Sequence, residues 1–162
     1  MSDFKKVRMG RKSAGLLMYR QKTGILEVFL IHPGGPFWAK KDVACWSIPK
    51  GECWENEAPF EAALREFQEE TGLVPNGDFI ELTEIKQTGG KRVKAWAFAG
   101  DCDPTKIESN TFLLEFPPRS GKFQSFPEVD RADWFSIADA KARIVKGQIA
   151  LLDELEQKLG HF

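Results

Sequence analysis

Arg65-Glu66-Phe67-Gln68-Glu69-Glu70-Thr71-Gly72 is the stretch that most restricts what this chain can become. Read as a helix, it places Glu66, Glu69 and Glu70 at i, i+3 and i+4, on one face. Like charges so placed repel, and Arg65 alone neutralises only one of the three. Hard divalent cations that prefer oxygen ligands suit such a face, magnesium and manganese above all. Both ends support the helix. Asn56 is the expected N-cap, with Glu57 and Pro59 in the first turn, and Gly72 is the expected C-terminal stop. Phe60, Ala63, Leu64 and Phe67 form an apolar stripe at helical spacing, so one face buries while the other presents acid.

From Gly51 to Leu73 the chain reads GECWENEAPFEAALREFQEETGL. This resembles the Nudix box, G-x5-E-x7-R-E-U-x-E-E-x-G-U with U apolar, and meets it at Gly51, Glu57, Arg65, Glu66, Phe67, Glu69, Glu70, Gly72 and Leu73. A solvated acidic helix face would explain the carboxylates but not the glycine and arginine positions.

A chain of 162 residues is expected to be a single domain over 1–162, large enough for a real core. Its net charge of −1 supplies no global field toward nucleic acid or membrane, and no apolar run approaches a membrane span. The N-terminal MSDFKKVRMGRK has basic residues without an apolar segment behind them, so it does not read as a secretory signal. Cys45, Cys53 and Cys102 are an odd, scattered set without zinc-site spacing, which points to a reducing compartment, the cytoplasm. His32 and His161 are too few for a histidine metal site.

Residues 13–20 and 25–32 read as strands about a turn at 21–24, the second apolar nearly throughout and buried on both faces. Residues 79–87 and 91–99 read as a hairpin around Gly89-Gly90. In the latter strand Arg92, Lys94, Trp96 and Phe98 share one parity and Val93, Ala95 and Ala97 the other. Residues 111–116 read as a strand, Pro117 to Asp130 as a long loop, and 131–135 as a short strand. Ser136 caps a helix over 137–145, and a second helix spans 147–159 with Leu151, Leu152, Leu155 and Leu159 on its core stripe. The order of elements gives an α+β chain with mixed strand pairing. The resemblance sharpens this to the Nudix fold, an α/β/α sandwich with a mixed β-sheet between helices.

Candidate binding residues lie around the box. The loop from His32 to Asp42 carries Trp38, Lys40 and Lys41, which suit a base and a phosphate, or equally a surface loop with a tucked tryptophan. Lys94 and Trp96 form a basic-then-aromatic face, suited to a nucleotide polyphosphate or to a strand end leaving the core. Arg119 and Lys122 can add phosphate contacts or simply be solvated.

The resemblance implies roles residue by residue. Glu66, Glu69 and Glu70 would be magnesium ligands, Glu66 or Glu69 acting in part as the base that orients water. The backbone oxygen of Lys50 would be a further ligand, and its side chain can reach a phosphate. Arg65 would hold a glutamate by bidentate pairing, with Glu57 either its partner or the residue that closes the loop onto the helix. Family members often carry another glutamate six residues before a Trp-Phe pair, and Glu128 stands six before Trp134-Phe135. It would serve as ligand or base, or be a solvated loop acid.

The activity implied is metal-dependent hydrolysis of a pyrophosphate bond in a nucleoside diphosphate linked to a further group. The His-Pro-Gly-Gly-Pro loop and the Trp-Ser-Ile-Pro-Lys-Gly entry to the box are most similar to bacterial members described as nucleoside triphosphate pyrophosphohydrolases. Two alternatives stand beside that reading, a dinucleoside polyphosphate hydrolase and a Nudix-fold module that binds a nucleotide without cleaving it. The expected partner is a small nucleotide, with magnesium or manganese, and no stable nucleic acid or membrane.

Overall fold

The computed structural model describes the backbone of residues 8–160 and the side chains of residues 12–160. The basic segment before Arg8 and the second histidine, His161, lie outside the described residues. Strand β1 runs from Arg8 to Lys22 and turns at Thr23-Gly24, both at positive φ, into β2, Ile25–Pro33. Such a two-residue turn matches the twist of the strands it joins. After the loop come β3, Lys50–Trp54, and helix α1, Pro59–Thr71. Short strands β4, Ile80–Glu81, and β5, Ile85–Lys86, precede β6, Arg92–Ala99. Strands β7, Thr111–Glu115, and β8, Phe123–Pro127, lead to β9, Val129–Ser136. Helices α2, Ile137–Arg143, and α3, Ile149–Lys158, complete the order.

β1 organises the main sheet. It pairs antiparallel with β2 and β3 and parallel with β6, while β9 pairs antiparallel with β2. The sheet is therefore mixed. Alternation along β1 feeds two cores. Ala14, Leu16 and Met18 pack with Phe29, Ile31 and Phe98 against Ala62, Ala63 and Phe67 of α1. Leu17 packs on the other face with Val28, Leu30, Ala95 and Ala97 against Ile137 and Ala140 of α2 and Leu151, Leu152 and Leu155 of α3. Helices thus cover both faces of the sheet, as the Nudix α/β/α sandwich requires. The parity read along β6 holds, since Val93, Ala95 and Ala97 are all fully buried.

Three expectations need correction. The N-cap of α1 is Ala58, not Asn56, and the Glu61 carboxylate accepts from the Ala58 N–H at 3.4 Å. Asn56 precedes the two-residue approach to Pro59, whose fixed φ sets the true first turn. The stretch read as a hairpin limb, 79–87, holds only two short pieces on β6. The stretch read as a loop from Pro117 to Asp130 contains β8 and the start of β9, and β8 pairs with β7 in a separate two-stranded sheet. Phe112 and Phe126 face each other there, with ring centroids 6.2 Å apart. The prolines that suggested a loop stand at the margins of a strand on a sheet edge, where proline is tolerated.

Candidate active site

The site forms where β3 passes α1. The approach is close at Gly51, where an added Cβ would lie 2.1 Å from Cδ of Glu66. One residue earlier, the Lys50 N–H donates to Oε1 of Glu70 at 3.0 Å. The helix stops just after Glu70 because Gly72 takes the left-handed conformation, φ 76°, and its N–H donates to the Gln68 carbonyl at 2.8 Å.

Arg65 fixes the acids from behind. Its Nε and Nη2 donate to the two oxygens of Glu57, its Nη1 donates to Glu66 at 2.8 Å, and Glu69 lies at 3.3 Å from the same nitrogen. Nη2 also reaches the Glu52 carbonyl at 3.0 Å, and the guanidinium lies over the Trp54 ring at 3.8 Å. Burial alone would push the Glu57 carboxyl up, but hydrogen bonds from Arg65 and the Trp54 N–H hold it below the usual carboxylate range.

In front lies a cavity of about 220 Å³ lined by Ser13, Lys50, Gly51, Glu52, Glu66, Glu69, Glu70, Lys91 and Glu128. Burial raises the Glu66 carboxyl, and burial followed by the Glu66 charge pushes Glu70 up to about 8. Lys50 is lowered, first by burial and then by Lys91. Carboxylates crowded against one another in a desolvated wall suit a hard divalent cation, which would supply the missing positive charge. Among the described residues no three acids stand together at metal-ligand spacing. Arg65 draws Glu66 and Glu69 back, and the Lys50 N–H holds Glu70.

Main-chain bonds bring Glu128 in. Its N–H donates to the Asn110 carbonyl at 2.8 Å, and its own carbonyl accepts from Gly34 at 2.9 Å. The Asn110 N–H donates in turn to the Glu69 carbonyl at 2.8 Å, so one residue links the end of α1 to Glu128.

Of the residues singled out in the sequence, Glu66, Glu69, Glu70, Lys50, Gly51 and Glu128 share this cavity, with Arg65 and Glu57 behind it. Lys94 and Trp96 line a neighbouring cavity of about 520 Å³ with Lys12, Cys53 and Phe60. There Lys94 is bound to Glu81 at 2.6 Å and to the Leu82 carbonyl at 2.8 Å. Trp38, Lys40 and Lys41 line neither cavity. Lys41 instead sits 5.0 Å from the Trp38 ring centroid, and its carbonyl meets Nε2 of buried His32 at 2.6 Å. The other His32 nitrogen faces Asp130 at 2.8 Å, so this histidine fastens the loop to β9. Arg119 and Lys122 belong to the turn joining β7 to β8.

Sequence reasoning missed Ser13, Glu52 and Lys91. Ser13 and Glu52 are partners in the β1–β3 register, which no local pattern reveals. Lys91 carried one available signal, its place at the mouth of the Gly89-Gly90 turn, directly before β6.

Fold and site together define a Nudix hydrolase, an enzyme that acts on phosphoanhydride bonds. The chain belongs to the NUDIX domain family, whose model matches residues 9–155. It is 32% identical over 127 residues to the RNA pyrophosphohydrolase of Aeromonas hydrophila, covering 73% of this chain and 70% of that protein. A shorter match to the RNA pyrophosphohydrolase of Xylella fastidiosa is 40% identical over 58 residues, 35% of this chain and 30% of that protein. Among solved structures, a binary complex of the C. elegans Ap4A hydrolase superposes with a TM-score of 0.65 at 23% identity, covering 93% of this chain and 98% of that one. The NUDIX domain of Shewanella oneidensis NrtR, solved with ADP ribose, gives 0.64 at 16% identity, covering 96% and 90%. At these identities the likeness is one of fold. Among the described residues no helix is long and apolar enough to cross a membrane.

Proposed function

We propose that the protein is a magnesium-dependent pyrophosphohydrolase of nucleoside triphosphates, with manganese able to substitute, acting in the cytoplasm. The observation that carries this reading is the cavity lined together by Glu66, Glu69, Glu70, Glu128 and Lys50. Glu66, Glu69, Glu70 and the Lys50 carbonyl would hold the cations. Bound there, divalent ions would neutralise charge on the phosphates and acidify a coordinated water.

The protein's own part is positional. Arg65 keeps Glu57 and Glu66 in fixed rotamers, and the Lys50 N–H keeps one oxygen of Glu70 turned toward β3. Glu128, or Glu66 or Glu69, takes the proton from the attacking water as its oxygen bonds to phosphorus. The P–O bond of the anhydride breaks, and pyrophosphate leaves from the nucleoside monophosphate. The desolvated wall around Glu66 and Glu70 strengthens each of these electrostatic contacts.

A second reading takes the triphosphate from the 5′ end of an RNA. It is favoured by the 32% identity to the Aeromonas hydrophila RNA pyrophosphohydrolase and by Phe37 and Trp38, exposed beside Lys40 and Lys41 outside the cavity. The bond broken is the same. A dinucleoside polyphosphate, split into unequal halves, is the remaining alternative, with the fold likeness to an Ap4A hydrolase behind it.

The test is a magnesium-dependent screen of nucleoside triphosphates, a 5′-triphosphorylated oligoribonucleotide and dinucleoside polyphosphates, with products resolved. Pyrophosphate plus a nucleoside monophosphate is the expected result. Turnover confined to the oligonucleotide would transfer the assignment to RNA ends, and unequal nucleotide halves would transfer it to dinucleoside polyphosphates. No product from any of them with magnesium or manganese would overturn the proposal.

A further inference from the structure

The chain changes strand partner just before it enters the site. At Ser47 it is bridged to Ile31 of β2, through bonds of 2.8 and 3.0 Å. By Lys50 it is paired with β1. Ile48 and Pro49 lie between the two pairings. Pro49 has no N–H, and its carbonyl accepts from Leu16 at 3.1 Å. Ile48 is fully buried, where an unmade backbone bond is costly. Its N–H donates to Oε1 of Gln148 at 3.0 Å, a residue 100 positions further along. The next donor, the Lys50 N–H, goes to Glu70. Gln148 and Glu70 thus bracket Pro49 from either side.

Gln148 is itself fully buried, in the single turn Lys146–Gln148 ahead of α3. The Ile48 N–H can only donate, which turns the amide oxygen toward it and the amide nitrogen away. That nitrogen donates to Oγ of Ser47 at 3.0 Å and to Oε1 of Gln87 at 3.2 Å. Gln87 closes the Gly89-Gly90 turn, since its N–H donates to the Lys91 carbonyl at 2.7 Å and its carbonyl accepts from Gly90 at 3.0 Å. One amide therefore ties together two segments that reach the cavity separately, at Lys50 and at Lys91. The approach is close, for a Cβ at Gly147 would stand 3.0 Å from Cγ of Gln87.

We infer that Gln148 is a positioning residue for the hydrolysis, although it does not line the cavity. Through Ile48 it sets the path of the Pro49-Lys50 segment, whose last carbonyl would hold a cation. Through Gln87 it sets how far the turn before β6 stands from that carbonyl. Main-chain bonds hold the neighbouring segment independently. The Val145 N–H donates to the Trp46 carbonyl at 2.8 Å, and the N–H groups of Cys45 and Trp46 donate to the Arg143 carbonyl at 3.0 Å. Loss of the amide therefore loosens the spacing without releasing α2 or α3. The inference rests on the pyrophosphohydrolase reading for what the cavity does, but metal affinity reports on it without turnover.

The test compares wild type with Gln148→Met, Gln148→Glu, Gln87→Met and Leu155→Ala, all below their melting temperatures. Leu155 is a fully buried core residue of α3, so its truncation is a control for destabilisation alone. Manganese affinity is measured by calorimetry without nucleotide, and kcat and KM with a nucleoside triphosphate. Gln148→Met is expected to lower kcat about 10- to 100-fold with KM changed by less than about threefold, as misplacement remote from the chemistry does. Its manganese affinity should fall about tenfold. Gln148→Glu should recover most of both, because it keeps an acceptor for Ile48 while the Ser47 hydroxyl and the Gln87 amide can turn to donate. Gln87→Met cuts one arm at a half-buried residue, and should lower kcat about three- to tenfold with a melting temperature near that of wild type. Leu155→Ala should melt early yet keep wild-type kcat and manganese affinity. Wild-type kcat and affinity in Gln148→Met, or losses no greater than those in Leu155→Ala, overturn the inference. Should Gln148→Met fail to fold, wild-type kcat in Gln87→Met overturns it. Manganese affinity that follows the substitutions in a protein that turns over no nucleotide leaves the positioning role standing and removes the proposed function instead.

Discussion

Arg65 holds Glu57 by two parallel hydrogen bonds, Nε to Oε2 at 2.8 Å and Nη2 to Oε1 at 2.9 Å. The same guanidinium keeps a third nitrogen for Glu66. Lysine cannot reproduce that fork, so Arg65→Lys leaves Glu66 without its support. Turnover should fall about 10- to 100-fold, with weakened magnesium dependence, as loss of an outer-shell partner does. Steady-state kinetics against magnesium concentration will check this, and an unchanged metal requirement would contradict it.

Gly51→Ala tests how closely β3 must pass α1. The new methyl would meet the Glu66 carboxylate, which is the movable end of a side chain and not backbone. The fold should survive while the carboxylate is displaced. Turnover is expected to drop at least about 100-fold with a melting temperature within a few degrees of wild type. A variant that unfolds, or one that keeps full activity, would show that the contact matters differently.

Glu70 gives a pH signature. Its folded-state value of about 8 stands above the ordinary 4.5, chiefly through burial. Protonation therefore favours the folded chain. With EDTA present, that contribution is whole below the unfolded value and disappears as the pH rises through the folded one. Glu70→Gln removes the dependence, so its melting temperature should gain on wild type from about pH 5 to pH 8. Parallel melting curves across that range would refute the assignment.

With magnesium, the same Glu70→Gln substitution takes away an anionic ligand. Turnover should fall by at least about two orders of magnitude in a folded protein, and wild-type rates would exclude Glu70 from the site.

Glu128→Gln separates two roles. If the carboxylate accepts the water's proton, kcat should fall about 100-fold with little change in KM. A rise in KM with kcat intact would instead make Glu128 a contact to substrate.

Much of this site was legible because α1 is local. Spacing alone puts Glu66, Glu69 and Glu70 on one face, and Gly72 ends the helix where it was expected to. Glu128 was legible only through its distance from Trp134-Phe135, a relation that resemblance supplies and periodicity does not. Ser13 and Lys91 were hidden because strand register placed them, through residues remote in sequence. The β7–β8 hairpin was hidden by its prolines and by its isolation from the main sheet, which leaves it no buried alternation to read. Trp38, Lys40 and Lys41 have the composition of a binding loop, yet His32 directs that loop elsewhere.

Glu128 takes its place from main-chain bonds to Asn110 and Gly34, and Asn110 is itself moored to the end of α1. No side chain of β7, β8 or their turn takes part in those bonds. The Glu128–Asn110 bond continues the β7–β8 register by one rung, so the pairing of that hairpin, and not its surface side chains, keeps Glu128 opposite Asn110.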